Sequence, residues 1–360
     1  RLLGKYLPPF SAKVATATRD REIYCIDGFA GAARYDDGSD GSPILIAKFA
    51  EECANWRNPV FLKLINVEPD LENKGIFPML EITTQEWKAN GIVSNINQEF
   101  DSALPGIIET IGNAPALFFI DPFGPTHVHF SHLQPILTRN QRITELIINF
   151  DQDGLRRILD AASSQNINPK AAVTNLQNIT KIIGSENWKL TALNKGLSSS
   201  ECEMILLHEY MNNIAAYGYD VVAYPIRESL DTKPKYHFVY CTRHSDGIEL
   251  MNDFIREEED LLYGEHVVER LSLFPLSSLA DEEVELRRKK LRVLMVEYLE
   301  NQRKVTRKQT VKNLIAHNFG YFHGKDYRTV FGELITAGKL STTDDRTKID
   351  ERIYHFSSNE

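Results

Sequence analysis

Two short runs of this chain end in a carboxylate, at places where a carboxylate can do chemistry. Tyr24-Cys25-Ile26-Asp27-Gly28-Phe29-Ala30-Gly31 is an apolar run of strand length that stops at Asp27 and enters a turn of small residues. Leu117-Phe118-Phe119-Ile120-Asp121-Pro122-Phe123-Gly124 stops at Asp121 and enters a turn carrying a proline and an aromatic ring. The first suits a nucleoside. Gly28 and Gly31 let the backbone approach a ligand where a Cβ would clash, and Asp27 can accept a hydrogen bond from an amino group or from a loop amide. The second suits an exocyclic amine, whose lone pair is delocalised into its ring and is therefore a weak nucleophile. A carboxylate and a backbone carbonyl accepting its two N–H groups would localise that pair and hold it in line. Pro122 fixes the turn and leaves its carbonyls available, while Phe123 can stack on a base. The same four residues also describe a tight strand-to-helix turn with Phe123 as a core plug.

The pattern of a polar residue after an apolar run recurs twice. Glu68 follows residues 61–67 and is spaced to take two ribose hydroxyls, and Asn97-Gln98-Glu99 follow residues 92–96. Each of these acids alone is a common loop cap; four strand ends together imply a shared crevice. The third position of a Gly-x-Gly fingerprint is Ala33, and no Gly-x-x-x-x-Gly-Lys-Ser/Thr run exists, which argues against a phosphate-clamping ATPase. His127, His129 and His132 stand among packing and helix-start residues, so they read as cleft-lining or capping groups, and no metal site is expected.

Positioning these groups requires parallel strands covered on both faces. Residues 23–26, 61–67, 92–96, 116–120 and 145–150 are apolar nearly throughout, as such strands are, and 221–226 and 236–242 close the sheet. Ser42 before Pro43 reads as a helix cap. Residues 160–200 are polar and Asn/Ser-rich and read as an insertion over the active face, a substrate lid or equally a spacer. Helices are expected over 203–217 and 247–262. Residues 263–284 lack a clear period and read as a linker or docking segment. Helices over 285–300, 306–317 and 327–337, followed by short strands at 339–342 and 352–356, describe a winged helix-turn-helix over 285–360.

The chain has 360 residues and a net charge of -9, which argues against a protein that coats nucleic acid indiscriminately. The average conceals a reversal. Arg303, Lys304, Arg307, Lys308, Lys312, Lys325, Arg328 and Lys339 face only Asp326 and Glu333 between positions 301 and 339. A basic module on an acidic body can steer a polyanion, with Arg303, Lys304, Arg307, Lys308, Lys312, Lys325 and Arg328 at phosphates and Thr306 capping a helix whose amides face one. No apolar run approaches the roughly 20 residues of a spanning helix. The opening residues lack the features of a signal peptide, and without an initiator methionine more chain is expected ahead of Arg1. Cys25, Cys53, Cys202 and Cys241 are far apart, as in a reducing compartment, so a cytoplasmic location is expected.

The chain resembles S-adenosylmethionine-dependent methyltransferases, and more narrowly the three-Cys-motif partner proteins. The resemblance lies in Lys5-Tyr6-Leu7, Tyr24-x-Ile26-Asp27-x-Phe29-Ala30-Gly31, Gly41-Ser42-Pro43, Asp121-Pro122-Phe123-Gly124, and Tyr236-His237-Phe238-Val239 leading to Thr242-Arg243-His244. It implies an α/β fold, a Rossmann-like seven-stranded methyltransferase sheet with helices on both faces over residues 1–262, plus the C-terminal winged helix. It implies S-adenosylmethionine as cofactor, with the methionine end near Asp27, Gly28, Phe29 and Gly31, the ribose at Glu68 and the adenine near Asn97 and Gln98. Asp121, Pro122 and Phe123 take the place of the Asp/Asn-Pro-Pro-Tyr/Phe turn of nucleic-acid aminomethyltransferases, with Phe123 at the second proline and Ala33 at a first-loop glycine as departures. Methyl transfer to a nucleic-acid base in DNA or RNA follows as the expected activity. A degenerate methyltransferase fold, serving as an adaptor between nucleic acid and a partner, is the alternative. The family name further implies an iron–sulfur companion protein carrying a cysteine motif.

Overall fold

The computed structural model describes residues 2–357 except 71–73, 141–142, 164–167, 194–195, 228, 230–231, 271–275, 303 and 345–347. At 245, 265–270 and 276–283 it describes the backbone alone. The chain divides into two compact units, chiefly residues 3–244 and 245–360. No helix among the described residues is long and apolar enough to cross a membrane.

In the first unit, seven strands form one sheet: β1 (Glu22–Asp27), β2 (Phe61–Val67), β3 (Val93–Ile96), β4 (Ala116–Ile120), β5 (Thr144–Phe150), β6 (Asp220–Ile226) and β7 (Tyr236–Thr242). Their order is β3-β2-β1-β4-β5-β7-β6. The first five are parallel, and β7 runs antiparallel to both β5 and β6. This is the topology of the class I S-adenosylmethionine methyltransferase sheet. All seven residues of β5 are buried, which is why that strand reads as an unbroken apolar run with Thr144, Glu145 and Asn149 as its only polar members.

Helices cover the sheet. α1 (Leu2–Val14) precedes β1; α2 (Ser42–Ala54) joins β1 to β2; α3 (Ile76–Thr83) and α4 (Gln85–Ala89) lead to β3. α5 (Phe100–Ile111) and α6 (Phe130–Leu137) flank β4, and α7 (Gln152–Ser163), α8 (Pro169–Ile183), α9 (Trp188–Ala192) and α10 (Ser199–Ala215) all lie between β5 and β6. The cap of α2 is Gly41 and not Ser42, which is the first helical residue. Gly41 donates to the Ala33 carbonyl at 2.8 Å, and a Cβ there would sit 2.8 Å from the same oxygen, so the close approach of the two segments requires glycine.

The segment read as a lid or spacer is a structural layer. Ile179, Ile182, Ile183, Trp188 and Ala192 are buried in the same cluster as Phe118, Ile148 and Phe150 of the sheet. Asn168 caps α8 by accepting from Lys170 N–H, and the Trp188 indole donates to Thr180 Oγ1 at 3.2 Å. Polar composition concealed this because the apolar residues occupy only one stripe of each short helix.

α1 was not legible as an element, yet it holds the opposite end of the strands. The Tyr6 hydroxyl donates to buried Glu145 and lies 2.6 Å from the Tyr240 hydroxyl, while Thr242 Oγ1 donates to Glu145 at 2.8 Å. Burial pushes the Glu145 carboxyl above the ordinary glutamate range, and these hydroxyls oppose the shift. The Lys5-Tyr6-Leu7 motif therefore serves the fold.

The second unit contains α11 (Ser245–Arg270), α12 (Leu276–Glu300), β8 (Val305–Thr306), α13 (Arg307–His317), α14 (Gly324–Thr336), β9 (Leu340–Ser341) and β10 (Ile353–Phe356). The strands form an antiparallel sheet in the order β8-β10-β9, and together these elements make a winged helix. β8 has two residues and gave no pattern to read. Helix α11 packs on α13 and α14, and buried Asn252 clamps their connection, donating to Phe322 O at 2.9 Å and accepting from Gly320 N–H at 2.8 Å. The division between the units thus falls at Ser245, where the sequence pattern carried the first domain to 262. Residues 263–284 lie largely in α11 and α12.

Candidate active site

The strand order reverses between β1 and β4, and the carboxyl ends of these two strands carry Asp27 and Asp121. In open α/β sheets, ligands bind at this switch point. Gly28 N–H donates to Phe119 O at 2.9 Å, and Ala30 N–H to Val67 O at 3.1 Å, which stitches the first loop across β4 and β2. The loop then turns through two left-handed residues, Gly31 (φ +60°) and Ala33 (φ +65°). A left-handed alanine costs roughly 1 kcal/mol.

Asp27 is fully buried. Its Oδ1 accepts from Phe29 N–H at 3.3 Å, and its Oδ2 has no partner. Burial pushes its pKa up to about 7; the Ser42 hydroxyl and the Phe29 amide favour the charged form, whereas the charges of Asp121 and Glu68 add to the rise. Ser42 affects Asp27 although no bond of good geometry reaches Oδ2. Glu68 is also buried, and its Oε2 accepts from Gly31 N–H at 2.8 Å, so it orders the glycine loop directly. Its carboxyl is raised, first by burial, against the pull of that amide, with Glu99 and Asp70 contributing. Asn97 and Gln98 are exposed past β3, and Asn97 Oδ1 accepts from Asp70 N–H at 2.9 Å.

Asp121 opens to solvent at the crevice mouth. Its protein walls raise its carboxyl above the usual range, against a hydrogen bond from Asn149 and the charge of Lys235. Solvent access makes this shift a weaker effect than the one at Asp27. Phe123 is 73% exposed, so the ring is not a core plug. It is available to a planar ligand beside Asp121. Pro125 of the same turn is pressed by α7: a Cβ on Gly154 would lie 2.7 Å from Pro125 Cδ, so only glycine permits this packing. Tyr236, at the start of β7, has its hydroxyl pushed up to about 12 by burial, then by Asp121 and Tyr35.

The histidines after Asp121 start a helix. His129 N–H donates to His132 Nδ1 at 3.4 Å, the two rings are 5.1 Å apart, and α6 begins at Phe130. Sequence reasoning named Ser42 as a cap and Tyr236 within a motif but placed neither in the site, and it did not single out Asn149 or Lys235. Asn149 ends an apolar strand and was open to the rule that selected Asp121, whereas the other three reach the crevice only through tertiary packing.

Two arginines of the basic set are ion-paired, and its described lysines are mostly exposed. Arg303 lies outside the described residues. Thr306 caps α13 by accepting from Gln309 N–H at 3.2 Å. Arg307 is ion-paired with Asp350 at 2.6 Å, and Arg328 with Glu249. Lys304, Lys308 and Lys325 are exposed and Lys312 is half-buried. The acids that neutralise the arginines come from α11 and from the segment between β9 and β10, outside the window in which the charge excess was counted.

No family model matches the chain, and no curated protein matches it in sequence.

Proposed function

We propose that the first unit binds S-adenosylmethionine and transfers its methyl group to an exocyclic amine of a nucleic-acid base. The observation that carries this reading is the pair of strand-end carboxylates at the switch point: one buried with an orphaned oxygen, the other open to solvent. The donor set fits the ammonium group of the cofactor's amino-acid end. Asp27 offers an unpartnered acceptor, Gly31 has no atom within 4 Å of a would-be Cβ, and the surrounding Glu68, Asp70 and Glu99 suit a cation better than a phosphate. When bound, the cofactor supplies a methyl group on a sulfonium, an electrophile that needs no further activation.

Asp27, Gly28, Phe29 and Gly31 would hold its amino-acid end, Glu68 its ribose hydroxyls, and Asn97 and Gln98 its adenine. On the substrate side, Asp121 Oδ and the Pro122 carbonyl accept the two N–H groups of the amine and aim its lone pair toward Asp27's side of the crevice. Phe123 stacks on the base, which positions it without reading its identity. The proton leaves toward the Asp121 carboxylate, whose raised pKa makes it a better base than an ordinary aspartate. The three-Cys-motif assignment and its iron–sulfur companion belong to the same proposal and are supported by the sequence motifs alone.

Incubation of the full chain with tritium-methyl S-adenosylmethionine and mixed DNA and RNA, followed by nucleoside mass analysis, tests this. Label is expected on an exocyclic nitrogen and is expected to vanish in Asp121→Ala with S-adenosylhomocysteine affinity little changed. Label on C5 of a pyrimidine would contradict the mechanism, because that chemistry needs a cysteine nucleophile and the Cys25 thiol is buried and raised.

A further inference from the structure

The Tyr236-His237-Phe238-Val239 motif has no part in the cofactor loop or in the turn after Asp121, and the register of its strand decides where each residue points. His237 pairs with Phe150, whose ring lies 4.7 Å from that of Tyr210 on α10, so this pair faces α10. Side chains alternate along a strand. Asn149, Phe238 and Tyr240 therefore face the other way, where the Tyr240 ring lies 5.5 Å from that of Tyr6 on α1, and Tyr236 shares their side. Ile120 pairs with Ile148, so Asp121, one residue further, falls beside Asn149. Asp121, Asn149 and Tyr236 thus form a row across β4, β5 and β7 at the edge where the crevice opens, with Asp27 on the far side of β4.

The members of this row are unequally committed. Asn149 is hydrogen-bonded to Asp121. The Tyr236 ring is half-buried, and its hydroxyl has no hydrogen-bond partner among the described residues. Burial keeps that hydroxyl protonated at neutral pH, so it is a donor in want of an acceptor. With the cofactor on the β1 side of Asp121, the substrate base must extend over β5 and β7. Asp121 and the Pro122 carbonyl meet only the two N–H groups of the amine, and Phe123 stacks on any base. In adenine and cytosine the atom beside the amine is a bare ring nitrogen, an acceptor that neither Asp121 nor the Pro122 carbonyl can satisfy.

We propose that Tyr236 reads the substrate base, its hydroxyl donating to the ring nitrogen beside the exocyclic amine, so that adenine or cytosine and not guanine is the methyl acceptor. The guanine amine lies between a bare nitrogen and a ring N–H, and an N–H turned toward the phenol would oppose its proton. A site built to bond one heteroatom discriminates strongly against a base that lacks it. The same contact fixes the rotation of the base over Phe123 and keeps the amine on its two acceptors. The inference rests on the methyl-transfer reading and narrows its substrate class.

Single-stranded oligonucleotides test it, made as DNA and as RNA, each carrying one adenine, cytosine or guanine among thymines or uracils, which have no exocyclic amine. The full chain with saturating tritium-methyl S-adenosylmethionine is expected to label the adenine or the cytosine strand. Tyr236→Phe should slow that transfer about tenfold or more, with S-adenosylhomocysteine affinity and melting midpoint unchanged, because the hydroxyl it removes bonds nothing in the protein. A C–H in place of the ring nitrogen beside the amine should slow the parent chain and leave Tyr236→Phe indifferent, the coupling expected of two atoms in contact. A purely structural role for the ring would give independent losses. Label mainly on guanine, a Tyr236→Phe rate equal to that of the parent chain, or additive losses would overturn the assignment and leave methyl transfer standing. Absence of label on every strand would overturn the methyl-transfer reading and this assignment with it.

Discussion

If Asp27 pairs with the cofactor's ammonium group, as proposed, its raised pKa makes cofactor affinity a function of pH, with a sign and size that follow from its burial. A buried carboxyl at about 7 is mostly protonated in mildly acidic solution, and only its ionised form can pair with an ammonium group. The ionised fraction is roughly 0.03 at pH 5.5 and roughly 0.76 at pH 7.5, taking the midpoint at about 7. Apparent affinity scales with the competent fraction, so S-adenosylhomocysteine should bind about 25-fold more weakly at pH 5.5 than at pH 7.5. Titration calorimetry in two buffers of different ionisation heat should also register close to one proton released per ligand near pH 6. Asp27→Asn should weaken binding at pH 7.5 and flatten the profile; any slope it retains belongs to Glu68, whose raised carboxyl acts in the same direction. The ligand-free protein carries the mirror image. A carboxyl with a raised folded pKa contributes stability that is full below its unfolded value near 3.8 and lost as pH rises through about 7, on the order of 4 kcal/mol for Asp27. A dissociation constant unchanged between pH 5.5 and 7.5, or proton uptake on binding, would refute the assignment of Asp27 to the ammonium.

Three further outcomes are expected. Glu68→Ala should weaken S-adenosylhomocysteine binding about thirtyfold by calorimetry, since a charge-assisted hydrogen bond contributes about 2 kcal/mol and the Gly31 amide also loses its acceptor. Tyr6→Phe should cost about 1–3 kcal/mol in urea unfolding because Glu145 loses a donor in a fully buried site, with ligand affinity preserved; a change below about 0.5 kcal/mol would mean that water replaces the hydroxyl. Trp188→Ala should cost about 3–5 kcal/mol, as for a core aromatic, whereas a lid residue would leave the unfolding midpoint in place and alter only turnover.

Strands with both faces covered were easy to read because burial leaves them no polar alternation: β2, β4 and β7 fall where their apolar runs lie, β3, β5 and β6 differ by one residue at one end, and β1 by one residue at each end. The strand-end carboxylates followed from the same pattern. What the pattern could not carry was tertiary. α1 contains Pro8 and Pro9 and hides its role in one hydroxyl, Tyr6, bonded to a residue 139 positions away. The layer from α8 to α9 hides behind its polar outer face. Ion pairs such as Arg328 with Glu249 join residues 79 positions apart, so a window of local charge does not see them.

The two carboxylates of the crevice rest on unequal foundations. The loop after Asp27 leans on a small cluster of Ala30, Ala33, Ile44 and Leu80, edged by Phe77 and Trp87. The turn after Asp121 stands on the large cluster that runs from Ile26 through Phe130 to Tyr210. Local opening free energy follows the apolar surface that holds a segment closed. Amide exchange should therefore be faster through residues 31–33 than around 118–120 in the ligand-free protein. On the proposed function, a cofactor that bridges Asp27 and Glu68 would slow the first set by several-fold and leave the second where it was, so that the side of the crevice at Asp27 would be assembled on binding and the side at Asp121 would already be in place.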